Sequence, residues 1–168
     1  MVAGLSVALG ACARSAPPAV YPVIDDPSST ASNAPGAVPG PQSARSGATL
    51  DIDTGTGAGS YTVGNWRAVP VDAQIIPAKG AMYAVDVRIV ANTGTIAVNG
   101  FYFVARTAGG STIAPAVGAV RPGITYGQLA AGQSVDGRVA FDFAPGTAVT
   151  GVVLRDPAGR QLAFWSVS

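Results

Sequence analysis

Two segments of the chain alternate apolar and polar residues, and this alternation constrains the fold more than any other feature. In residues 81–90 (AMYAVDVRIV) alternate apolar side chains share one face, whereas Asp86 and Arg88 lie on the other. Residues 135–143 (VDGRVAFDF) repeat the pattern. A period of two with one charged face is typical of antiparallel strands that bury one side. No segment shows a sustained helical period, so the chain is predicted to be all-β.

Further short runs rich in β-branched and aromatic residues predict more strands. They are residues 61–69, 96–106, 149–155 and 161–167, with 48–53 and 111–118 as two additional candidates. The run at 96–106 is apolar on both faces and is predicted to be a central strand. Turn residues predict hairpins at 92–94, 108–110 and 156–159. Seven or eight strands within residues 48–168 predict an immunoglobulin-like antiparallel β-sandwich, with a closed barrel as the alternative.

The first residues have the pattern of an export signal. Residues 1–11 (MVAGLSVALGA) form a short apolar segment, predicted to be a signal-peptide core. It ends in Leu9-Gly10-Ala11 before Cys12, which resembles the lipobox of bacterial lipoproteins. Small residues allow a peptidase to grip an extended backbone, and the thiolate of Cys12 is the nucleophile that accepts the lipid. We therefore predict lipid attachment at Cys12 and a membrane anchored through it.

A signal peptide normally begins with a basic region, but the first cation of this chain is Arg14. We therefore expect the natural start to lie upstream, with Met1 internal. Cys12 is the only cysteine, which excludes an intrachain disulfide.

Residues 12–47 are predicted to be a disordered stalk rich in Pro, Ala and Ser. This stretch holds seven of the thirteen prolines, and large apolar residues are scarce after Ile24. Such a composition does not bury enough surface to offset the entropy of ordering. A flexible coil of this length spans roughly 30–35 Å, which would lift the following domain off a membrane.

The amino-acid composition excludes the side chains that most catalytic sites use. The chain has no His and no Glu, so all nine of its acidic residues are Asp. His is the side chain that most often transfers protons near neutral pH and is a common ligand of zinc and copper. The net charge of +1 provides no field that would attract nucleic acid. We therefore predict a protein that is not an enzyme, uses no cofactor or metal and binds no nucleic acid.

Paired carboxylates are the strongest remaining candidates for catalysis. Asp51 and Asp53 share a strand face, as do Asp136 and Asp142. A glycoside hydrolase would bring two such carboxyls within roughly 5–9 Å of each other. Because Arg138 lies between the second pair, we interpret these charges as solubilising groups and cross-strand pairs.

Three other patterns are interpreted as ordinary loops. Lys79 has no Ser-x-x-Lys spacing around it and is read as a solvated loop lysine. Residues 51–57 (DIDTGTG) resemble a calcium loop but lack the acidic residue that closes it. Residues 109–112 (GGST) have no lysine before the hydroxyls, as a phosphate loop requires, and fit a hairpin turn.

Trp66 and Trp165 are the two tryptophans of the chain. Either side chain could anchor a partner, because tryptophan is enriched at binding hot spots. In a small sandwich, packing between the two sheets is the favoured interpretation for both.

Four segments resemble motifs of a known family. They are residues 64–67 (GNWR), 103–110 (FVARTAGG), 131–142 (AGQSVDGRVAFD) and 162–165 (LAFW). Together they resemble the small secreted immunogenic antigens of mycobacteria, the MPT/MPB type, over roughly residues 61–167. The resemblance implies an immunoglobulin-like sandwich, export and no established enzymatic activity, with no catalytic residue to transfer. The lipobox and the stalk depart from the freely secreted members, which favours a tethered role.

The sequence as a whole predicts an exported, lipid-anchored protein of the cell envelope. Its sandwich is predicted to be a non-catalytic binding or interaction module, with an envelope or host protein as its partner. The first alternative is a carrier that holds a lipid between the sheets, in an apolar cavity of about 300 Å³ or more. The second alternative is an aspartate-dependent hydrolase.

Overall fold

The computed structural model describes residues 40–167, which form a sandwich of two β-sheets. The predicted signal core at 1–11, Cys12 and the predicted stalk up to residue 39 lie outside the described residues. The strands of the described residues are β1 (Gln42–Arg45), β2 (Thr49–Asp53), β3 (Gly57–Ala68), β4 (Ala81–Val98), β5 (Phe103–Thr107), β6 (Thr112–Ile113), β7 (Gly127–Ala130), β8 (Ser134–Phe143), β9 (Val149–Arg155) and β10 (Gln161–Ser166).

The strand order confirms the predicted sandwich. One sheet has the order β1-β10-β9-β5-β6, and the other joins β2, β3 and β4. β8 pairs with residues 81–90 of β4, and β7 pairs with residues 95–98 of the same strand. Ten strands form within the described residues instead of seven or eight, and the open edges at β1, β6 and β2 distinguish the fold from the closed barrel.

Both alternating segments bury the face that their pattern predicts. Val85 of β4 lies opposite Val139 of β8, and both side chains are buried. The opposite face of the same two strands carries Asp86 opposite Arg138. We call the side turned toward the other sheet the inner face and the opposite side the outer face. The inner-face side chains form the main core together with Phe103, Val152 and Trp165 of the other sheet.

The domain begins earlier than the predicted boundary at residue 48. Gln42 to Arg45 form β1, which pairs in parallel with β10. Gln42 also donates a hydrogen bond from Nε2 to the carbonyl of Asp51 at 2.6 Å. This short edge strand contains Ala44 as its one apolar residue, so its sequence is indistinguishable from the proline-rich stretch before it.

The predicted hairpin at residues 92–94 is wrong, because β4 continues through it to Val98. Gly94 has a positive φ of 64°, and a Cβ at this position would lie 2.5 Å from the carbonyl oxygen of Thr56. Glycine therefore lets the strand bend against β3 without breaking. The predicted strand at 96–106 is also wrong as one unit. It is divided by a 3-10 turn at Gly100–Tyr102, which Asn99 caps by accepting a hydrogen bond from the Phe101 amide at 3.0 Å.

The other two predicted hairpins form as expected. Residues 108–110 join β5 to β6, with Gly110 at a φ of 82°. Residues 156–159 join β9 to β10, and the amide of Asp156 donates to the carbonyl of Arg160 at 2.9 Å. The predicted strand at 111–118 is shorter than expected, because pairing ends at Ile113.

A long loop at residues 114–126 covers part of the outer face. The Ala116 amide donates to the carbonyl of Ala140 at 2.7 Å, which holds the loop against β8. Beneath it lies a second, smaller apolar cluster that is separate from the main core. Its buried members are Val69, Met82, Ala84, Ala119, Val120 and Ala140. No helix within residues 40–167 is long and apolar enough to cross a bilayer.

Candidate functional site

A groove of about 630 Å³ lies on the outer face of β3, β4 and β8. Its floor carries five charged side chains: Arg67, Asp86, Arg88, Asp136 and Arg138. Three cations and two anions leave the groove with a formal charge of +1. The loop at Pro122 and the turn at Gly47 form its sides. We call this feature the charged groove.

Asp86 and Arg67 form the central ion pair of the charged groove. Nη1 and Nη2 of Arg67 donate to Oδ2 and Oδ1 of Asp86 at 2.9 and 2.7 Å, and Nδ2 of Asn65 donates to Oδ2 at 2.9 Å. The hydrogen bond from Arg67 is the main cause that lowers the pKa of Asp86, and that from Asn65 adds to it, while partial burial opposes both. The carboxylate therefore stays ionised.

A bulge in β3 makes this ion pair possible. The register between β3 and β4 shifts by one residue between Gly64, which pairs with Asp86, and Arg67, which pairs with Ala84. The shift puts Arg67 on the same face of the sheet as Asp86. Asn65 in the bulge has a φ of 54°, a left-handed conformation that Asn tolerates better than other residues with a Cβ. The bulge in the β3 backbone therefore determines the position of Arg67 in the groove.

The remaining charges of the groove form a second pair and an unpaired cation. Nη1 of Arg88 lies 3.0 and 2.9 Å from Oδ1 and Oδ2 of Asp136. The guanidinium of Arg138 makes no ion pair or hydrogen bond with the described residues. Its backbone is held firmly, because its amide donates to Pro122 at 2.7 Å and its carbonyl accepts from Ile124 at 3.0 Å. Arg138 is therefore the cation available to a ligand in this groove.

The carboxylates of the two candidate pairs have separate hydrogen-bond partners. Asp51 accepts a hydrogen bond from the Ser60 hydroxyl, whereas Asp53 accepts from the Gly55 amide at 2.7 Å. Asp142 accepts from the amides of Lys79 and Gly80 at 2.7 and 3.0 Å. Each carboxylate thus stabilises its own local structure. Asp136 lies in the charged groove, where Arg88 neutralises it.

The loop interpretations agree with the local geometry. Lys79 is exposed, and its backbone amide anchors its loop to Asp142. Residues 53–57 form the turn between β2 and β3, and residues 40–167 contain no cluster of three potential metal-ligating side chains. The Gly110 amide donates to the carbonyl of Thr107 at 3.0 Å within the β5–β6 hairpin.

The two tryptophans have different environments. Trp165 is fully buried, and its Nε1 donates to the carbonyl of Ala48 at 2.9 Å, so the packing interpretation is confirmed for it. Trp66 is half-buried at the edge of the core. Its ring stacks on Tyr83 with centroids 5.4 Å apart and lies 5.7 Å from the ring of Phe143. Both side chains thus contribute to packing, and Trp66 also reaches the surface.

A second depression lies between the two sheets. This inter-sheet cleft has a volume of about 160 Å³ and opens at the end of the sandwich where the β2–β3 and β9–β10 turns meet. Its walls are mostly apolar and come from both sheets. They include Tyr61, Ile89, Val98, Phe103, Leu154 and Leu162.

Sequence reasoning identified the charged strand faces but missed the groove and the cleft. The signal for the groove was present in part, because Asp86 and Arg88 were predicted to share a face of one strand, and Asp136 and Arg138 a face of another. Arg67 joins them only through the bulge. Nothing in the sequence marked Tyr61 as a binding residue, since an aromatic residue in a strand ordinarily packs in the core.

The fold is similar to those of known bacterial proteins. The crystal structure of MPT63, a secreted protein from Mycobacterium tuberculosis, has a TM-score of 0.64 and 22% identity, and the match covers 75% of this chain and 97% of that chain. The yjhA protein from Bacillus subtilis has a TM-score of 0.57 and 13% identity, over 74% and 99% of the two chains. MPT63 confirms the predicted resemblance to the MPT/MPB type at the level of the fold.

Comparison with curated proteins gives no significant match. A family model, by contrast, matches residues 41–165, from the start of β1 to Trp165 in β10. The chain therefore belongs to the family described as the domain of unknown function DUF1942.

Proposed function

We propose that this chain is an exported protein of the cell envelope, anchored to the outer side of the membrane by a lipid on Cys12, and that its β-sandwich is a non-catalytic binding module. The observation that carries the binding role is the charged groove. A bulge in β3 positions Arg67, the loop at Pro122 holds the backbone of Arg138, and the Arg138 guanidinium has no ion-pair partner among the described residues. A pre-organised set of charges of this kind lowers the cost of ordering when a partner binds.

Export and anchoring rest on the first twelve residues. The apolar segment at 1–11 and the small residues before Cys12 match the apolar core and the cleavage region of a lipoprotein signal. The description of MPT63 as a secreted protein supports export of a chain with the same fold. Two or more acyl chains, at about 0.8 kcal/mol per buried methylene, would hold the protein stably at a membrane.

Mass spectrometry of the mature N-terminus tests the anchor. We expect a chain that begins at Cys12 and carries the mass of a diacylglyceryl group, and we expect the Cys12→Ala variant to lose both the lipid and its membrane association. A wild-type chain that retains Met1 or is cut at another residue contradicts the anchor.

A pull-down from envelope extract tests the binding role. The bait is the chain with Arg88→Ala and Arg138→Ala, compared with wild type. The matched control carries Arg45→Ala and Arg160→Ala, which remove the same charge from exposed positions outside the groove. We expect the groove variant to retain at least tenfold less of a specific partner, with the control unchanged. Equal retention by all three baits contradicts the groove as the binding site.

Two observations favour this function over its alternatives. The inter-sheet cleft of about 160 Å³ is smaller than the roughly 300 Å³ expected for a lipid carrier. The aspartates considered for a hydrolase have separate partners: the Ser60 hydroxyl for Asp51, the Gly55 amide for Asp53, Arg88 for Asp136, and the amides of Lys79 and Gly80 for Asp142. The binding module is therefore the function that the geometry supports best.

A further inference from the structure

The inter-sheet cleft is lined by a buried tyrosine, Tyr61, whose hydroxyl has no hydrogen-bond partner among residues 40–167. Tyr61 is only 3% exposed, and its hydroxyl forms no hydrogen bond with the described residues. The hydroxyl is not sealed from solvent, because residues 40–167 contain no fully buried side-chain oxygen that lacks a partner. Since Tyr61 lines the cleft, solvent reaches its hydroxyl through the cleft.

The ring of Tyr61 is held in this position by its neighbours. A Cβ on Gly59 would lie 2.8 Å from Cδ1 of Ile96 and 3.3 Å from Cε2 of Tyr61, so glycine leaves the space that the ring occupies. Across the strands Tyr61 lies opposite Ile89 of β4 and Leu50 of β2. The hydroxyl therefore has a fixed direction, as a binding group requires.

The two threonine hydroxyls at the rim of the cleft are already engaged in hydrogen bonds. The Thr54 hydroxyl donates to the carbonyl of Gly57 at 2.8 Å, and the Thr56 hydroxyl donates to the carbonyl of Thr95 at 2.9 Å. Burial raises the pKa of Tyr61 to about 12, so its proton is retained at any physiological pH. Tyr61 thus presents a neutral donor inside a cleft whose walls are mainly apolar.

The volume of the cleft limits the size of its occupant. A protein cavity of about 150 Å³ lined by apolar side chains accepts a molecule the size of benzene. The cleft has about 160 Å³ and an open mouth, which suits a single aromatic ring with a short substituent. We propose that the inter-sheet cleft binds a small, mainly apolar molecule with one hydrogen-bond acceptor, and that the Tyr61 hydroxyl donates to this acceptor. This site is separate from the charged groove and goes beyond the proposed binding of a partner protein.

Two probes of the same shape distinguish the contribution of the hydrogen bond to affinity from the contribution of apolar burial. Acetophenone carries a carbonyl acceptor, and α-methylstyrene replaces its oxygen with a methylene group. Each is titrated into the full chain, and the methyl NMR signals of Ile89, Leu154 and Leu162 report occupancy of the cleft. The methyls of Val120, in the second apolar cluster, serve as the internal control. We expect saturable shifts at the three cleft residues and none at Val120.

The Tyr61→Phe variant tests the role of the hydroxyl. It retains the ring and removes no hydrogen bond within the described protein, so the fold should be preserved. We expect acetophenone to bind roughly 3- to 10-fold more weakly, the effect of one neutral hydrogen bond, and α-methylstyrene to bind as before. Tyr83→Phe is the matched control, because Tyr83 lies outside the cleft and should change neither affinity.

The Ala97→Phe variant tests the location. Ala97 is exposed and lines the cleft, so a phenyl ring at this position can fill the mouth without disturbing the core. We expect it to abolish the shifts from both probes. The proposal is overturned if neither probe gives saturable shifts at the cleft, if Ala97→Phe leaves binding intact, or if Tyr61→Phe weakens both probes equally.

Discussion

The two faces of the sheet formed by β2, β3, β4 and β8 differ in how far local sequence decides their environment. On the inner face, apolar side chains at alternate positions all enter one core. The outer face is divided, because Met82 and Ala84 are buried under the loop at 114–126, whereas Asp86 and Arg88 further along β4 line an open groove. Alternation thus assigns a residue to a face, but a distant loop decides whether the outer face is covered.

The largest expected effect is on the inner face. Phe141→Ala removes a fully buried ring from the main core and should lower the free energy of unfolding by about 3–5 kcal/mol in urea denaturation. Tyr126→Ala is the control, because its side chain is 87% exposed and its loss should change stability by less than about 0.5 kcal/mol. Similar losses in both variants would contradict the assignment of the core.

The second prediction tests whether the loop turns outer-face residues into core residues. Met82→Ala should lower the free energy of unfolding by about 2 kcal/mol, the lower end of the range for buried Met, because the cluster around it is small. Arg88→Ala, on the same face of the same strand, should cost less than about 1 kcal/mol. If the Met82 variant is as stable as the Arg88 variant, the loop does not cover this part of the face in solution.

The third prediction concerns the bulge beneath the charged groove. Asn65→Ala places a less tolerant residue at a φ of 54° and removes the hydrogen bond to Asp86, so it should lower stability by about 1 kcal/mol. Asn65→Gly loses the same hydrogen bond but tolerates the backbone, and should cost less. Thermal unfolding of the two variants measures the difference, and a more stable alanine variant would exclude the left-handed conformation.

The smallest effect is the pH dependence of the ion pair in the groove. Because the pKa of Asp86 is lower in the folded state, its contribution is present above the unfolded pKa of about 3.9 and is lost as the pH falls through the folded pKa. Its side chain is 40% exposed, so the contribution should be below about 1 kcal/mol. The stability difference between wild type and Asp86→Asn should therefore be largest near pH 6 and vanish near pH 2. If the stability difference between wild type and Asp86→Asn instead grows as the pH falls, the ion pair between Arg67 and Asp86 does not stabilise the folded state.

Much of the sandwich could be predicted from local sequence. The alternation of β4 and β8 predicts their buried faces, and the turn residues at 108–110 and 156–159 predict two hairpins that form. The prediction of a hairpin at 92–94 was wrong because a glycine with a positive φ, here Gly94, occurs in a bent continuous strand as well as in a turn. β1 was missed because the pairing that holds it comes from β10, at the other end of the domain.

The candidate sites were less accessible to sequence reasoning. Four groove charges lie on predicted strand faces, yet Arg67 reaches Asp86 only because of a register shift that no local pattern marks. The cleft brings Tyr61 of one sheet near Leu154 and Leu162 of the other, so it exists only once the sheets are packed. The prediction of a lipid on Cys12 stands apart, since it concerns a residue outside those that the structure describes.

The sequence by itself determined the all-β class, the inner face of the central strands and the scarcity of catalytic groups, because these depend on residue types and on the period of two along a strand. Only the tertiary structure decided which outer-face residues are buried, which charges meet in the groove and that the Tyr61 hydroxyl has no partner within residues 40–167. These properties depend on contacts between segments far apart in the chain, whose geometry is set by packing and register.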